Sequence, residues 1–231
     1  MRTLILGDIH GHDSWKAIVD KEEYDNVVFL GDYLDSFTLS PEVISKNLLD
    51  IIKFKEKMGD KCHLCYGNHD HSYYYGERCS GYKTNAVPLY MPLLQDMFNE
   101  KMLEAVYIQD DIIMSHAGVS NYWLKEVAGF EKVEDITFEN ILNTSTGLGL
   151  LSWNMYKGYD GYGDTISQSP IWIRPYSLLQ DKVDGYRQIV GHTHFKTPTE
   201  KNGIYFNDMM PHHYIIIEDN KIEFIENKLK Q

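Results

Sequence analysis

Apolar residues along the chain follow two rhythms. Short continuous runs, "RTLIL" (2–6), "NVVFL" (26–30) and "KCHLCYG" (61–67), alternate with stretches where apolar positions recur every three or four residues. Those stretches are "DSWKAIVDK" (13–21) and "SPEVISKNLLDIIKFKEKMG" (40–59). The runs predict strands buried on both faces, and the spaced stretches predict amphipathic helices. In the second helix Ser40 can cap the start, Pro41 suits the first turn and Gly59 ends it. This β-α-β-α-β rhythm predicts a parallel sheet in a layered α/β domain.

The later chain is richer in strands. "DIIMSHAG" (111–118), "YRQIVGH" (186–192), "GIYFND" (203–208), "HYIIIE" (213–218) and "KIEFIE" (221–226) all fit. The last two are joined by "DN", which can form a hairpin turn. The C-terminal half is therefore expected to carry a second, more β-rich layer. Two segments rich in Tyr and Gly read as less regular: 71–100, with "HSYYYGERCSGYKTN", and 145–169, with "STGLGLLSWNMYKGYDGYGDTISQ". No repeat, charge block or low-complexity linker divides the chain. The expectation is one domain over 1–231 with loop elaborations near 71–100 and 145–169.

Composition narrows the class. The chain has 231 residues, 43% hydrophobic and 24% charged, enough for a real core and unlike a disordered polymer. Its apolar runs, such as "YIII" (214–217), fall far short of the roughly 20 residues of a membrane span. "MRTLILGD" has no signal-peptide pattern, so a cytoplasmic location is expected. Three cysteines cannot close a disulfide framework. Cys62 and Cys65 have C-x-x-C spacing, but no second such pair exists to complete a zinc site. On a strand they read as small buried hydrophobes. The net charge of −12 makes nucleic acid a poor partner. It would also repel a phosphate substrate unless bound divalent cations reversed the local field.

The residues just beyond each strand carry the chemistry. "TLIL" runs into Asp8 and His10, "VVFL" into Asp32 and Asp35, and "CHLCY" into Asn68, His69 and Asp70. "DIIM" runs into His116, and "RQIV" into His192 and His194. Carboxyl ends of parallel strands share one edge, where ligands bind. Carboxylates, imidazoles and one neutral amide suit Mn, Fe, Zn or Co. Asp8 and His10 can grip one ion, Asp32 can bridge, and Asn68, His116 and His192 can complete a second. Two divalent ions less two carboxylates and a bridging hydroxide leave about one positive charge for phosphate. Singly, each fragment has a bland reading: a polar turn, a satisfied core histidine, a turn asparagine. Five in one strand-end context do not.

"GDIHG", "GDYLD", "GNHD", "SHAG" and "GHTH", in this order across residues 7–194, resemble the calcineurin-like metallophosphoesterases. "GDYLD" and "SHAG" are most similar to the bacterial and phage phosphoprotein-phosphatase branch. The resemblance implies a four-layer α/β/β/α sandwich, two mixed sheets flanked by helices. It implies two divalent metal ions, Mn²⁺ first, with Fe, Zn, Co or Ni as alternatives. Residues matching Asp8 and His10 bind the first ion, Asp32 bridges, and Asn68, His116 and His192 bind the second. His194 matches a first-metal ligand in many superfamily members, though the phosphatase branch often lacks it. A bridging hydroxide would attack phosphorus, and His69 would protonate the leaving oxygen. Asp35 matches the carboxylate that orients this histidine and raises its pKa. One departure stands out: the branch usually continues "GDxxDRG", but Ser36 occupies the Arg position. "SPIWIRP" (169–175) resembles a segment carrying a phosphate-binding Arg, which points to Arg174. Loss of one guanidinium fork weakens bidentate recognition of a terminal phosphate.

The expected activity is hydrolysis of a phosphomonoester, on a phosphoprotein side chain or a small molecule. Phosphodiester or dinucleoside polyphosphate hydrolysis on the same site is the alternative, toward which Ser36 and His194 lean. A scaffold that had lost catalysis would be expected to have shed ligands or the acid histidine, and none is missing. Metal identity, natural substrate and oligomeric state are not encoded in these motifs.

Overall fold

The computed structural model describes residues 1–153 and 164–228. Among the described residues, eleven strands form two sheets. The first contains β1 (Arg2–Leu6), β2 (Asn26–Phe29), β3 (Cys62–Cys65) and β4 (Leu103–Glu104), all parallel. The second is built from β5 (Tyr107–Gln109), β6 (Ile112–Ser115), β7 (Arg187–His194), β8 (Thr199–Lys201) and β9 (Ile204–Asp208). Its order is β5-β6-β7-β9-β8, with β6, β7 and β9 parallel and the outer strands antiparallel. The C-terminal hairpin, β10 (His213–Glu218) and β11 (Lys221–Glu226), corrects the sequence reading. It does not join the second layer but pairs antiparallel with β1, extending the first sheet to β11-β10-β1-β2-β3-β4.

The continuous apolar runs are explained by burial on both faces. Ile5, Val28, Leu30 and Cys65 face inward and pack with Ile112, Met114 and Ile189 of the second sheet. Leu4, Leu6, Val27, Phe29 and Leu64 face outward, onto α1 (Ser14–Lys21) and α2 (Pro41–Met58), through Trp15, Ile18, Ile44, Leu48 and Ile51. On the far side, Val190, Ile204 and Phe206 cover Leu178 of α6 (Pro175–Asp181). The layers are therefore helix, sheet, sheet, helix. Cys62 and Cys65 are buried free thiols, and burial pushes the Cys62 thiol up to about 12.

Segment 71–100 is more regular than its composition suggested. It holds the body of α3 (Asn68–Tyr75) and all of α4 (Val87–Asn99), with α5 (Phe138–Asn143) following later. Residues 154–163 of the second expected elaboration lie outside the described residues. No helix among the described residues is long and apolar enough to cross a membrane.

The hairpin turn has Asp219 at φ 48° and Asn220 at φ 65°. Two positive φ values match a type I′ turn, whose twist suits the flanking strands. Asp219→Val would force a β-branched residue into that region and cost about 1–2 kcal/mol. Urea unfolding should show a lower midpoint with an unchanged slope.

Candidate active site

The predicted ligands lie where two sheets bring their strand ends together. Asp8 and His10 follow β1, Asp32 and Asp35 follow β2, and Asn68 and His69 open α3 immediately beyond β3. His116 follows β6, and His192 lies near the end of β7. Asp8, His10, Asp32, Asn68, His69 and His192 line one cavity of about 550 Å³. His116 sits beneath it, fully buried.

The backbone there is held in an uncommon conformation. His10, Asp32, Asp35 and His192 have φ of 46°, 50°, 62° and 63°. None is glycine, and each such residue costs of order 1–3 kcal/mol, so the surroundings must hold it in place. Asp70 supplies part of that hold. Its Oδ1 accepts from the amides of Tyr33 and Leu34 at 3.0 and 3.3 Å, and its Oδ2 accepts from Gly67 at 3.1 Å. The loops after β2 and β3 are thereby tied together. Two glycines are required by close approach: a Cβ on Gly67 would collide with Asp32, and one on Gly191 with the Asp8 carboxylate.

Asp32 is the centre. Its Oδ1 accepts from the His69 amide at 2.9 Å. Its Oδ2 lies 3.4 Å from His116 Nε2, 3.8 Å from His10 Nε2 and 3.9 Å from His69 Nε2. The protonation pattern decides what this means. His116 Nδ1 is 2.9 Å from the Leu30 carbonyl, and His10 Nδ1 is 3.1 and 3.0 Å from the carbonyls of Leu34 and Asp35. Carbonyls only accept, so both Nδ1 atoms carry protons, and in the neutral ring both Nε2 atoms present lone pairs. Burial pushes the His116 pKa down against the pull of Asp32. Two lone pairs thus aim at the same carboxylate oxygen. Asn68 Oδ1 and His192 Nδ1 join them, 2.8 and 3.2 Å from His116 Nε2. Donor atoms converging in this way form a set that fits divalent cations, with the His10 and His116 rings oriented from behind by backbone carbonyls. Two groups of candidate ligand atoms meet at Asp32: with His10 and His69, and with His116 and His192.

The charges agree. Burial, and then the charges of Asp208 and Asp32, hold the Asp8 pKa well above the carboxylate range. Asp8 itself accepts from the His192 amide at 3.1 and 3.0 Å. Burial weighs on Asp32 too, and with His116 and His10 neutral its charge is met by the His69 ring and the His69 amide. Buried like charges of this kind are relieved by bound cations.

His69 and Asp35 form a pair beside this set. His69 Nδ1 is 2.9 Å from Asp35 Oδ2, and Tyr73 donates its hydroxyl to Asp35 Oδ1 at 2.6 Å. Burial pulls the His69 pKa down, but Asp32, Asp35 and Cys79 outweigh it and push the ring up to about 12. Arg174 lines the cavity, with Nη1 donating to the His192 carbonyl at 3.2 Å and to Thr193 Oγ1 at 3.1 Å. His194 is not brought into the cluster. It is exposed, outside the cavity lining, with Nδ1 2.8 Å from the Asp208 carbonyl.

Asp208, Arg78 and Cys79 are among the cavity residues that sequence reasoning missed. Asp208 ends β9 as Asp32 follows β2, so the strand-end pattern could have found it. Arg78 and Cys79 arrive on the loop after α3, and only the tertiary fold reveals them. Cys79 Sγ lies 3.4 Å from His69 Nδ1. Ser36, in the position of the missing Arg, does not line this cavity; its Oγ caps the local turn.

A family model described as "Calcineurin-like phosphoesterase" matches residues 1–196. The chain belongs to this family. Several solved structures share its fold. A cold-active protein-tyrosine phosphatase of a psychrophilic Shewanella species aligns over 96% of this chain and 77% of that one, with a TM-score of 0.63 and 16% identity. A protein serine/threonine phosphatase from Saccharomyces cerevisiae aligns over 100% and 81%, with a TM-score of 0.56 and 13% identity. A curated relative, symmetrical bis(5'-nucleosyl)-tetraphosphatase of Sodalis glossinidius (strain morsitans), is 28% identical over 133 residues. That match spans 53% of this chain and 45% of the relative, less than half its length.

If Asp32 joins two ion sites, its loss should affect both. Equilibrium dialysis should find two Mn²⁺ per chain. Asp32→Asn should weaken both at least about tenfold, and His10→Asn should weaken one. Equal effects of the two variants would contradict a shared Asp32.

Proposed function

We propose that this chain hydrolyses phosphate esters at a binuclear metal centre, with phosphomonoesters of the phosphoprotein type as the preferred class. The observation that carries the reading is Asp32 Oδ2 facing the lone pairs of His116 and His10, next to the His69–Asp35 pair. Asp8, His10 and Asp32 would hold one divalent cation; Asp32, Asn68, His116 and His192 would hold the other. The nitrogen and oxygen donors suit Mn²⁺, with Fe, Zn, Co or Ni as alternatives. Bound cations of this kind supply an activated water and charge stabilisation at phosphorus.

The chain's own groups do the rest. Arg174 is fixed by His192 and Thr193 and offers its guanidinium to phosphoryl oxygens. His69 gives the Nε2 proton to the leaving oxygen. Asp35 holds its Nδ1, so the proton is presented in one direction, and Tyr73 fixes Asp35 in turn.

A second reading is hydrolysis of a phosphodiester or dinucleoside polyphosphate on the same groups. The Sodalis relative supports it, as does Ser36 in place of the Arg expected of the phosphatase branch.

The test uses protein stripped of metal and reloaded with Mn²⁺. The ratio of kcat/KM for p-nitrophenyl phosphate to that for bis-p-nitrophenyl phosphate should favour the monoester. His69→Asn should lower kcat about 10²–10⁴-fold. A diester preference would move the protein to the second reading.

Arg174→Lys keeps the charge but loses the fork. It should raise KM for the monoester about tenfold, the cost of losing one charge-assisted hydrogen bond. A wild-type KM would remove Arg174 from the site.

A further inference from the structure

A second cavity, of about 310 Å³, adjoins the first. The two share His10, His69 and Ser80. His69 is therefore a wall common to both. The group that would protonate the leaving oxygen has the ion-binding cavity on one side and this smaller cavity on the other. A leaving group departs away from the ions, so its body would occupy the smaller cavity.

The residue at its rim is unusual. Phe37 is 89% exposed, the most exposed large hydrophobic side chain among the described residues. It is not on a slack loop. Ser36, immediately before it, is buried, and its Oγ accepts from the amides of Thr38 and Leu39 at 3.2 and 3.3 Å. Lys83 donates its Nζ to the carbonyls of Ser36 and Leu39, at 2.8 and 3.3 Å. The backbone is pinned on both sides of Phe37, and the ring is held out into water at the cavity's edge. A large apolar ring held in water forgoes the free energy its burial would give, which a flat apolar ligand would recover.

The walls also say what that ligand is not. Among the described residues, no lysine or arginine lines this cavity. A second phosphate group or an acidic peptide flank would find no ammonium or guanidinium there and would meet the Asp35 carboxylate. An uncharged aromatic ring would find Phe37 and the small residues Ser80 and Gly81 among the walls.

We infer that this cavity is a leaving-group subsite for aryl phosphomonoesters, with Phe37 as the residue that stacks on the departing ring. The inference rests on the phosphoesterase reading for the word "leaving", and the test separates the two. Calorimetry on the Mn²⁺-loaded chain would compare phenylphosphonate with methylphosphonate, neither of which can be hydrolysed as an ester. Phenylphosphonate should bind more tightly. In Phe37→Ala the phenyl-to-methyl preference should fall about three- to tenfold, and Phe37→Tyr should restore it. The kcat/KM ratio for phenyl phosphate over ethyl phosphate should fall by the same factor, intrinsic leaving-group reactivity cancelling between variants. A wild type without phenyl preference, or a preference that survives in Phe37→Ala, overturns the subsite. So does a wild type that binds neither phosphonate. A phenyl preference in binding without turnover of either ester would leave the aryl site standing and overturn the hydrolytic reading instead.

Discussion

One carboxylate joins the two halves of this molecule. Asp32 comes from the end of β2 in the first sheet, and its Oδ2 meets His116 from the end of β6 in the second. Its two oxygens have separate duties. Oδ1 is committed to the His69 amide and fixes the first turn of α3, while Oδ2 faces imidazoles only. If Oδ1 were not held by the backbone, the carboxylate could rotate and Oδ2 would have no fixed position. Gly67 makes this possible, because any side chain there would occupy the space of Asp32. The ligand geometry is thus set by a backbone amide and a missing Cβ as much as by the ligands.

The local cost is considerable. Four site residues sit in the left-handed region, and several carboxylates are buried near one another. Summed at of order 1–3 kcal/mol each, the backbone contribution alone is comparable with the net stability of an ordinary domain. It is tolerated because the strands leading into the site are buried on both faces and the loops are cross-tied by Asp70. A less rigid scaffold would relax these residues and disperse the donor set.

Much of this was legible in the sequence for a simple reason. Each candidate ligand comes within a few residues of its strand's end, and a strand buried on both faces is a continuous apolar run, so the runs mark where to look. The features that were not legible depend on partners far away in the chain. The period of "HYIIIE" shows a strand but not that it pairs with β1, some two hundred residues earlier. Helix α4 was hidden by Pro92 in its interior, and α3 by a tyrosine run that looks like a loop. Asp208 was within reach of the strand-end pattern, but "YFND" was read only as the end of a strand. Arg78 is on the cavity wall only because the loop after α3 folds back, and no local pattern encodes that.

Asp208 changes the electrostatic argument. Two divalent cations against Asp8 and Asp32 alone would leave a clear surplus of positive charge, but Asp208 and Glu77 on the same cavity wall would remove much of it. In a chain of net charge −12, the remaining attraction for a phosphate dianion is small. Guanidinium groups at the cavity wall therefore matter more here than where the centre is strongly cationic. Ser36, where the phosphatase branch would carry an arginine, instead caps the turn that presents Phe37. Arg174 and Arg78 reach the cavity wall from elsewhere in the fold, and on the proposed reading they would supply that charge. On the proposed reading, the loop after β2 would exchange a phosphate contact for an aromatic one, with the charge supplied from outside the motif set.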